Sequence, residues 1–475
     1  MPSIEKGGSS TPKEPGNGNE PVSPAGSTNL DSPRSGAKQA APQVSKWSNT
    51  RQNKGASSQR RSLAKAFVAA GATAVVFVVL ATFASSPAVS TGPLDLGGAV
   101  LMPYVKSNPE AFYQEPSPIP PGPLGSVIRV QPMPPYVELP KGANAYRILY
   151  RSIGMHGLTA VSGFIVVPKG PVPKGGFPIV DYAHATTGIA NLCAPSMYAF
   201  LDVPYVSSLV RDKYVIVATD YPGLGTAPPF HVTPYLVAGA EARSVLDAAR
   251  AALDLPFAHA ANEVMLMGYS QGAQAVLKAE EIASSYAPEL HLVETVAFSA
   301  PNDLSVIVNA ARKTSALAAF YVLLAASWRI DYPDLKTSDL LSPTGQKYLI
   351  DAYSICVNKL TEILHKEKVG TSVLSPRAQS YRLFQELLKQ NSVPSGPITV
   401  PTLLASGAKD QLIPLSITKA WVKKACRIDP KAPLEWLVQP GAGHGGVIPK
   451  AKAKVLSWMK ARLAGKPALV PCGRF

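Results

Sequence analysis

The 475-residue chain reads as an α/β protein built on a mostly parallel sheet covered on both faces by helices. Three observations predict it. From Ala145 onward, short apolar and β-branched runs alternate with segments of helical period, the pattern of parallel strands joined by crossover helices. One junction, "NEVMLMGYSQGAQAVLKAEE" from Asn262 to Glu281, passes from an apolar run through glycines around one serine into a helix-like pattern. Late in the chain a block of about a hundred residues, chiefly helical in pattern, interrupts the alternation; a crossover needs only a dozen or so residues, so this block is an insertion.

Residues 1–62 are rich in Pro, Gly, Ser, Asn and Gln and carry hardly any large apolar side chains. They bury too little surface to offset their ordering entropy, and they read as a disordered polar tail. Residues 63–90 read as a hydrophobic export signal or membrane anchor. Arg60, Arg61 and Lys65 precede an almost unbroken apolar run of 19 residues, Ala66 to Ala84. A run of that length can span a bilayer as a signal anchor with the basic tail on the cytoplasmic side. The competing reading is a long secretory signal cleaved at the small residues Ala88-Val89-Ser90. The Arg60-Arg61 pair also resembles a twin-arginine export signal behind a long leader. Each reading makes the protein secreted or membrane-anchored, with the rest of the chain outside the cytoplasm. Residues 91–140 are proline-rich and loop-like, an N-terminal arm that packs along a domain rather than forming its core.

The core follows in two parts, 141–301 and 399–475. Ala145–Arg151, Leu158–Val167, Phe177–Tyr182 and Tyr214–Ala218 read as strands, and Tyr235–Leu253 as a helix. Val264–Met267 and Ala273–Ile282 supply the next strand and helix, and Leu292–Phe298 a sixth strand. The insertion, 302–398, includes "LSVIVNAARKTSALAAFYVLLAAS", "YLIDAYSICVNKLTEILHKE" and "AQSYRLFQELLKQ". Its Ile, Leu, Phe and Tyr content suits a cap with an apolar underside, and equally an ordinary helical subdomain without a gating role. Strands at Thr402–Ala405 and Leu434–Val438 and an amphipathic helix at Ala451–Leu463 close the chain.

The net charge of +15 is unevenly spread: residues 1–65 hold ten Lys/Arg against four Asp/Glu, which leaves +9 for the remaining 410 residues. That is modest, and with no zinc-finger spacing, RNP-like motif or sustained basic stripe, nucleic-acid binding is disfavoured. A weak attraction to anionic membrane surfaces is compatible with the charge. Four cysteines, Cys193, Cys356, Cys426 and Cys472, allow two disulfides in any of three pairings in an exported chain, or four separate buried thiols.

The pattern Gly268-x-Ser270-x-Gly272 acquires meaning from its flanks, because strand, sharp turn and helix is the context that projects a serine Oγ from the end of a sheet. A serine hydroxyl is a poor nucleophile at neutral pH and needs a histidine to accept its proton, itself oriented by a buried carboxylate. On this kind of turn the partners follow in the chain order Ser, acid, His. Of the histidines after Ser270, His291 comes too early for an acid to fit between, and His365 lies among Glu and Lys in the insertion. His444, in the glycine-rich "QPGAGHGGVIP" after the last strand, is the candidate base. Asp410 in "LLASGAKDQLIP" is the candidate acid, with Asp303 in "FSAPNDLS" as runner-up. An oxyanion needs two backbone N–H donors. Gln271, first in the helix after the nucleophile, supplies one, and Thr186 in "DYAHATTGIANLCAPS" the other, with Thr187 as alternative. Asp181 and His184 are expected to hold that loop by hydrogen bonds. No metal or organic cofactor is called for.

Seven segments in order, "FYQEPSPIPPGPLGSVIR", "AYRILYRSIGMHGLTAVSGFIVVP", "HATTGIANLCAPS", "ATDYPGLG", "GYSQGAQAV", "SGAKDQLIP" and "GAGHGG", resemble the secretory lipase family of α/β-hydrolases over roughly Phe112 to Leu463. The resemblance implies an α/β-hydrolase fold with a helical cap inserted between strands 6 and 7. It implies a serine hydrolase acting on carboxylic esters of acylglycerol type, meeting its ester or lipid substrate at a lipid–water interface, with Ser270, Asp410 and His444 as triad. It also implies disulfides joining Cys193 to Cys356 and Cys426 to Cys472. One departure stands out: the family's His-Gly-Thr-Thr-Gly is here His184-Ala185-Thr186-Thr187-Gly188, and a positive φ at Ala185 would strain the loop. The same triad also serves acyltransferases and serine peptidases, and a hydrolase-like binding protein would keep it without turnover.

Overall fold

The computed structural model describes residues 111–198, 201–226, 232–393, 395–468 and 472. The polar tail, the hydrophobic segment 63–90 and the first part of the arm lie outside the described residues. Among the described residues, no single helix is long and apolar enough to cross a membrane.

Nine strands form one sheet: β1 (Val127–Pro132), β2 (Ala143–Ile153), β3 (Leu158–Pro168), β4 (Phe177–Ala183), β5 (Val215–Thr219), β6 (Ala260–Tyr269), β7 (His291–Phe298), β8 (Thr402–Gly407) and β9 (Leu434–Gln439). Their spatial order is β1-β2-β3-β5-β4-β6-β7-β8-β9. The first three strands and β5 pair antiparallel, and from β5 across to β9 every pairing is parallel. One strand departs from the sequence reading. β1 lies inside the proline-rich stretch expected to be loop, and it adds to the exposed edge of β2. An edge strand tolerates proline because one side of its backbone needs no ladder partner, and the proline here ends the strand. With β1 counted, the insertion falls between β7 and β8.

The parallel strands are buried on both faces, with alternate side chains in different cores. Along β6, Val264 and Leu266 join one apolar cluster, while Met265 and Met267 join the other. Helices cover each face. The short α1 (Val206–Arg211) was not foreseen from the sequence, and with the C-terminal helix it covers the face holding Met265. α2 (Ala238–Asp254) and α3 (Gln271–Tyr286) cover the opposite face through alanine-rich stripes that allow close approach.

The insertion holds α4 (Leu304–Ala311), α5 (Ala318–Asp331), α6 (Thr337–Leu340), α7 (Pro343–Gln346), α8 (Leu349–Ser354), α9 (Val357–Lys366) and α10 (Arg382–Gln390). They pack around Trp328, Phe384, Leu323 and Leu360 in a cluster of their own. α5 is buried almost throughout, which accounts for a sequence apolar on all sides. This cluster also takes in Ile189, Tyr235, Leu412 and Ile413 from loops at the C-terminal end of the sheet. α11 (Leu415–Ile428) and α12 (Val447–Leu463) complete the chain after β8 and β9.

Candidate active site

β6 runs between β4 and β7 to Tyr269, and α3 begins at Gln271, so Ser270 makes the turn alone. It does so at φ 53° and ψ −114°, a conformation rarely adopted by residues with a side chain. Such strain costs of order 1–3 kcal/mol and persists only where the surroundings enforce it. They do so here: Ser270 N–H donates to Phe298 O at 2.9 Å, and Ser270 O accepts from Ala273 N at 2.9 Å. The flanking glycines answer a need for space. A Cβ on Gly268 would lie 2.1 Å from Gly272 O, and one on Gly272 would lie 1.9 Å from Ala183 O at the end of β4.

The loops after β8 and β9 bring two more side chains to the serine. His444 Nε2 is 2.9 Å from Ser270 Oγ, and His444 Nδ1 is 2.8 Å from Asp410 Oδ2. With the Nδ1 proton donated to the carboxylate, Nε2 presents its lone pair to the serine hydroxyl. The other carboxylate oxygen is occupied too. Asp410 Oδ1 accepts from Leu412 N at 2.9 Å and from Ile413 N at 2.8 Å, so the acid closes its own turn. The His444 and Asp410 side chains are 6% and 1% exposed, which removes the competition of water for the pair. Ser299 Oγ donates to His444 O at 2.9 Å, and the Tyr269 ring lies against the imidazole with centroids 5.3 Å apart. The arrangement can pass a proton between Ser270 Oγ and an imidazole held in one tautomer.

Thr186 and Gln271 come from two different segments of the chain. Gln271 opens α3, where backbone N–H groups have no partner within the helix. Thr186 sits in the loop after β4, and its Oγ1 is 2.9 Å from Tyr235 OH. Ala185 is not among the residues with positive φ, so alanine fits there without the strain its sequence context suggested. His184 holds the loop as expected: Nδ1–H donates to Ala185 O at 2.6 Å, and His184 O accepts from Tyr221 OH at 2.8 Å. Burial lowers its pKa to about 4, so it is neutral. Asp181 does not share that task. It lies within β4, holds no hydrogen bond to the loop, and burial pushes its carboxyl well above the ordinary value.

The remaining candidates stand apart from the elbow. Asp303 caps α4, accepting from Val306 N at 3.1 Å. His291 starts β7 and His365 ends α9, both exposed. Cys193 is bonded to Cys356 and Cys426 to Cys472. The first disulfide joins the segment after the Thr186 loop to the N-terminus of α9, where Val357 N–H also donates to Thr187 O at 2.8 Å. Two residues at the site were not singled out from the sequence, Tyr235 and Glu241. Glu241 had left a signal, since it falls on the alanine-rich stripe of α2, where Ala238, Ala242 and Val245 are buried. Among the described residues, no three His, Cys, Asp or Glu side chains are grouped to hold a metal ion.

Comparison with known proteins gives a consistent result. The sequence model of the family described as secretory lipase matches residues 194–470, more than half of the chain. Lipase A of Moesziomyces aphidis is 24% identical over 383 residues, covering 74% of this chain and 79% of that protein. A protein of Mycobacterium tuberculosis named as a probable inactive lipase is 24% identical over 346 residues, 69% of this chain and 76% of its own length. Among solved structures, Candida antarctica lipase A superposes with a TM-score of 0.63 at 20% identity, over 77% of this chain and 89% of that one. The rice cell wall degrading esterase LipA of Xanthomonas oryzae gives 0.59 at 18%, over 72% and 99%. The shared fold is that of the α/β-hydrolases.

Proposed function

Because this chain belongs to the secretory lipase family, a family of lipase- and esterase-type hydrolases, we propose that it cleaves carboxylic esters, acylglycerols foremost, by a Ser270-His444-Asp410 relay through an acyl-enzyme. The observation that carries the reading is the continuous hydrogen-bonded line from Ser270 Oγ through both nitrogens of His444 to Asp410. Ser270 Oγ attacks the ester carbonyl carbon while its proton passes to His444 Nε2. The buried Asp410 carboxylate stabilises the imidazolium that forms. The carbonyl oxygen, now an anion, accepts from the backbone N–H groups of Gln271 and Thr186, each such donor being worth ~3 kcal/mol in the transition state. Collapse of the tetrahedral adduct expels the alcohol, which takes its proton from Nε2. Water then attacks the acyl-serine, gives a proton to Nε2, and the carboxylic acid leaves as Ser270 Oγ is reprotonated.

In this reading the helical block 302–398 is a cap. Its support is the apolar cluster the block shares with Ile189, Leu412 and Ile413, and its attachment to the Thr186 loop through Cys193–Cys356. The two disulfides and the family support an oxidising, extracellular setting for the catalytic domain.

The test is hydrolysis of glycerol and p-nitrophenyl esters of graded acyl length, with fluorophosphonate labelling of the native protein and of Ser270→Ala. Labelling and turnover that both vanish in the variant support the relay. Transfer of the acyl group to an added alcohol or amine in preference to water would make the protein an acyltransferase. A folded native protein that is neither labelled nor active would align it with the relative named as inactive.

A further inference from the structure

Glu241 is a buried carboxyl in a place where burial alone would favour a hydrocarbon. It lies in the first turn of α2 on the stripe that packs against the sheet and α3, is fully buried, and forms no ion pair among the described residues. A buried acid without a cation is costly, and burial accordingly pushes its carboxyl up to about 8, leaving it neutral at neutral pH. The phenols that face it, Tyr221 and Tyr235, are raised as well, so no neighbouring charge offsets it.

What the carboxyl holds is specific. Its Oε1 accepts from Gln271 Nε2 at 2.7 Å and from Leu236 N at 2.8 Å. Gln271 directly follows Ser270 and supplies the helix-terminal N–H of the proposed oxyanion hole. Leu236 adopts a φ of 57°, so its N–H is aimed at Glu241 by a strained turn. The residue before it, Tyr235, meets Thr186 Oγ1 with its hydroxyl at 2.9 Å. Tyr235 is fastened in turn by the insertion: Trp328 Nε1–H donates to its carbonyl at 2.8 Å, and its N–H donates to Ser327 Oγ at 2.9 Å. A line of buried and half-buried contacts therefore runs from Thr186 through Tyr235, Leu236 and Glu241 to Gln271.

We propose that Glu241, through the Tyr235–Leu236 turn, is a positioning residue that sets the spacing between the two oxyanion donors. This rests on the ester-hydrolase reading and adds to it the element that fixes the hole's width. A hole held from one oxygen stabilises the tetrahedral oxyanion more than the planar ester, so loosening it acts on kcat and not on KM.

The experiment compares native protein with Glu241→Gln, Glu241→Met and Tyr235→Phe on p-nitrophenyl butyrate. Glutamine keeps an oxygen acceptor at the same reach, and Glu241→Gln is expected within about threefold of native kcat. Methionine keeps the volume and removes the acceptor, and kcat is expected to fall about 10- to 100-fold with KM within about twofold, a loss smaller than deleting a donor outright. Tyr235→Phe, which removes one hydroxyl, is expected to lose about tenfold in kcat on the same principle, and it decides the matter if Glu241→Met does not fold. A folded Glu241→Met with native kcat, equal losses in Met and Gln, or a change confined to KM would overturn the proposal, as would native kcat in Tyr235→Phe. If native protein itself neither turns over the ester nor takes up fluorophosphonate, the hydrolase reading falls and this inference with it; an active native protein with an indifferent Glu241→Met sinks the inference alone.

Discussion

Ser270 is placed by its immediate chain neighbours and by the ends of adjacent strands: β6 ends, α3 begins, and the backbones of Phe298 and Ala183 confine the turn. Thr186, the second donor of the proposed oxyanion hole and so its other wall in that reading, is placed by residues distant in sequence. It touches Tyr235, its neighbour Thr187 is bonded to Val357, and its loop is tied by a disulfide that spans 163 residues. One wall is local and built from backbone; the other is assembled from side chains of the core and the insertion. The lesson is that the two walls should fail differently, the first by steric collapse and the second by loosening.

The largest effect should come from the local wall. Ser270→Ala is expected to reduce kcat by about 10⁴- to 10⁶-fold without loss of thermal stability, the scale seen when a serine nucleophile is deleted. Ester turnover and calorimetry on the same preparation check it; an active folded variant would remove the elbow from the chemistry. Next comes Gly272→Ala, whose Cβ would sit 1.9 Å from Ala183 O in a place where only backbone can yield. A stability loss of about 2–4 kcal/mol and near-complete loss of activity are expected, because overpacking cannot relax without moving β4 away from α3. Urea unfolding measures the first and fluorophosphonate uptake the second.

The distant wall is probed by comparing its disulfide with the other. Replacing Cys193 and Cys356 with serine should lower stability by about 2–4 kcal/mol and kcat by about tenfold. Replacing Cys426 and Cys472, whose bond joins the last turn of α11 to the C-terminal segment and not to the Thr186 loop, should cost stability on a similar scale and leave kcat intact. Equal kinetic losses in both would mean the disulfides act only through global stability.

The smallest expected effect concerns acids away from both walls. Glu280 in α3 is buried against Thr402 Oγ1, which donates to it at 2.9 Å, and burial pushes its carboxyl from 4.5 up to about 7. The unfolded chain ionises near 4.5 and the folded one only near 7, so folding holds the extra proton between those values. Stability contributed by the neutral form is complete below about 4.5 and is lost as pH rises to about 7. Glu280→Gln should therefore gain on native protein by on the order of 3 kcal/mol between pH 4.5 and pH 8, read as a widening Tm difference, with kcat unchanged.

Much of this architecture was legible in the chain because the parallel strands are apolar runs of the right length and the elbow is a contiguous motif. β1 was not, since its prolines and exposed side chains resemble a loop, and the neighbouring β2 decides the matter by offering an edge. α1 is too short for a period to show. At the site, Ser270, Asp410 and His444 were nameable because each follows a strand in chain order. Tyr235 was not, since a tyrosine before a helix carries no motif, and Glu241 left only the signal of an acid on a buried alanine-rich stripe, which names no partner. Asp181 misled for a related reason: next to the loop in sequence, it belongs to β4 and faces inward.

The sequence by itself determined the alternation of strands and helices, the elbow around Ser270 and the order of acid and base, because these depend on neighbours within a few residues. Only the tertiary structure decided that Ala185 is unstrained and that Glu241 reaches Gln271; the cysteine spacing left three pairings open, the resemblance implied one of them, and the structure holds Cys193–Cys356 and Cys426–Cys472. Those outcomes depend on distances between segments 30 to 160 residues apart, which the closing of the sheet and the docking of the insertion set together.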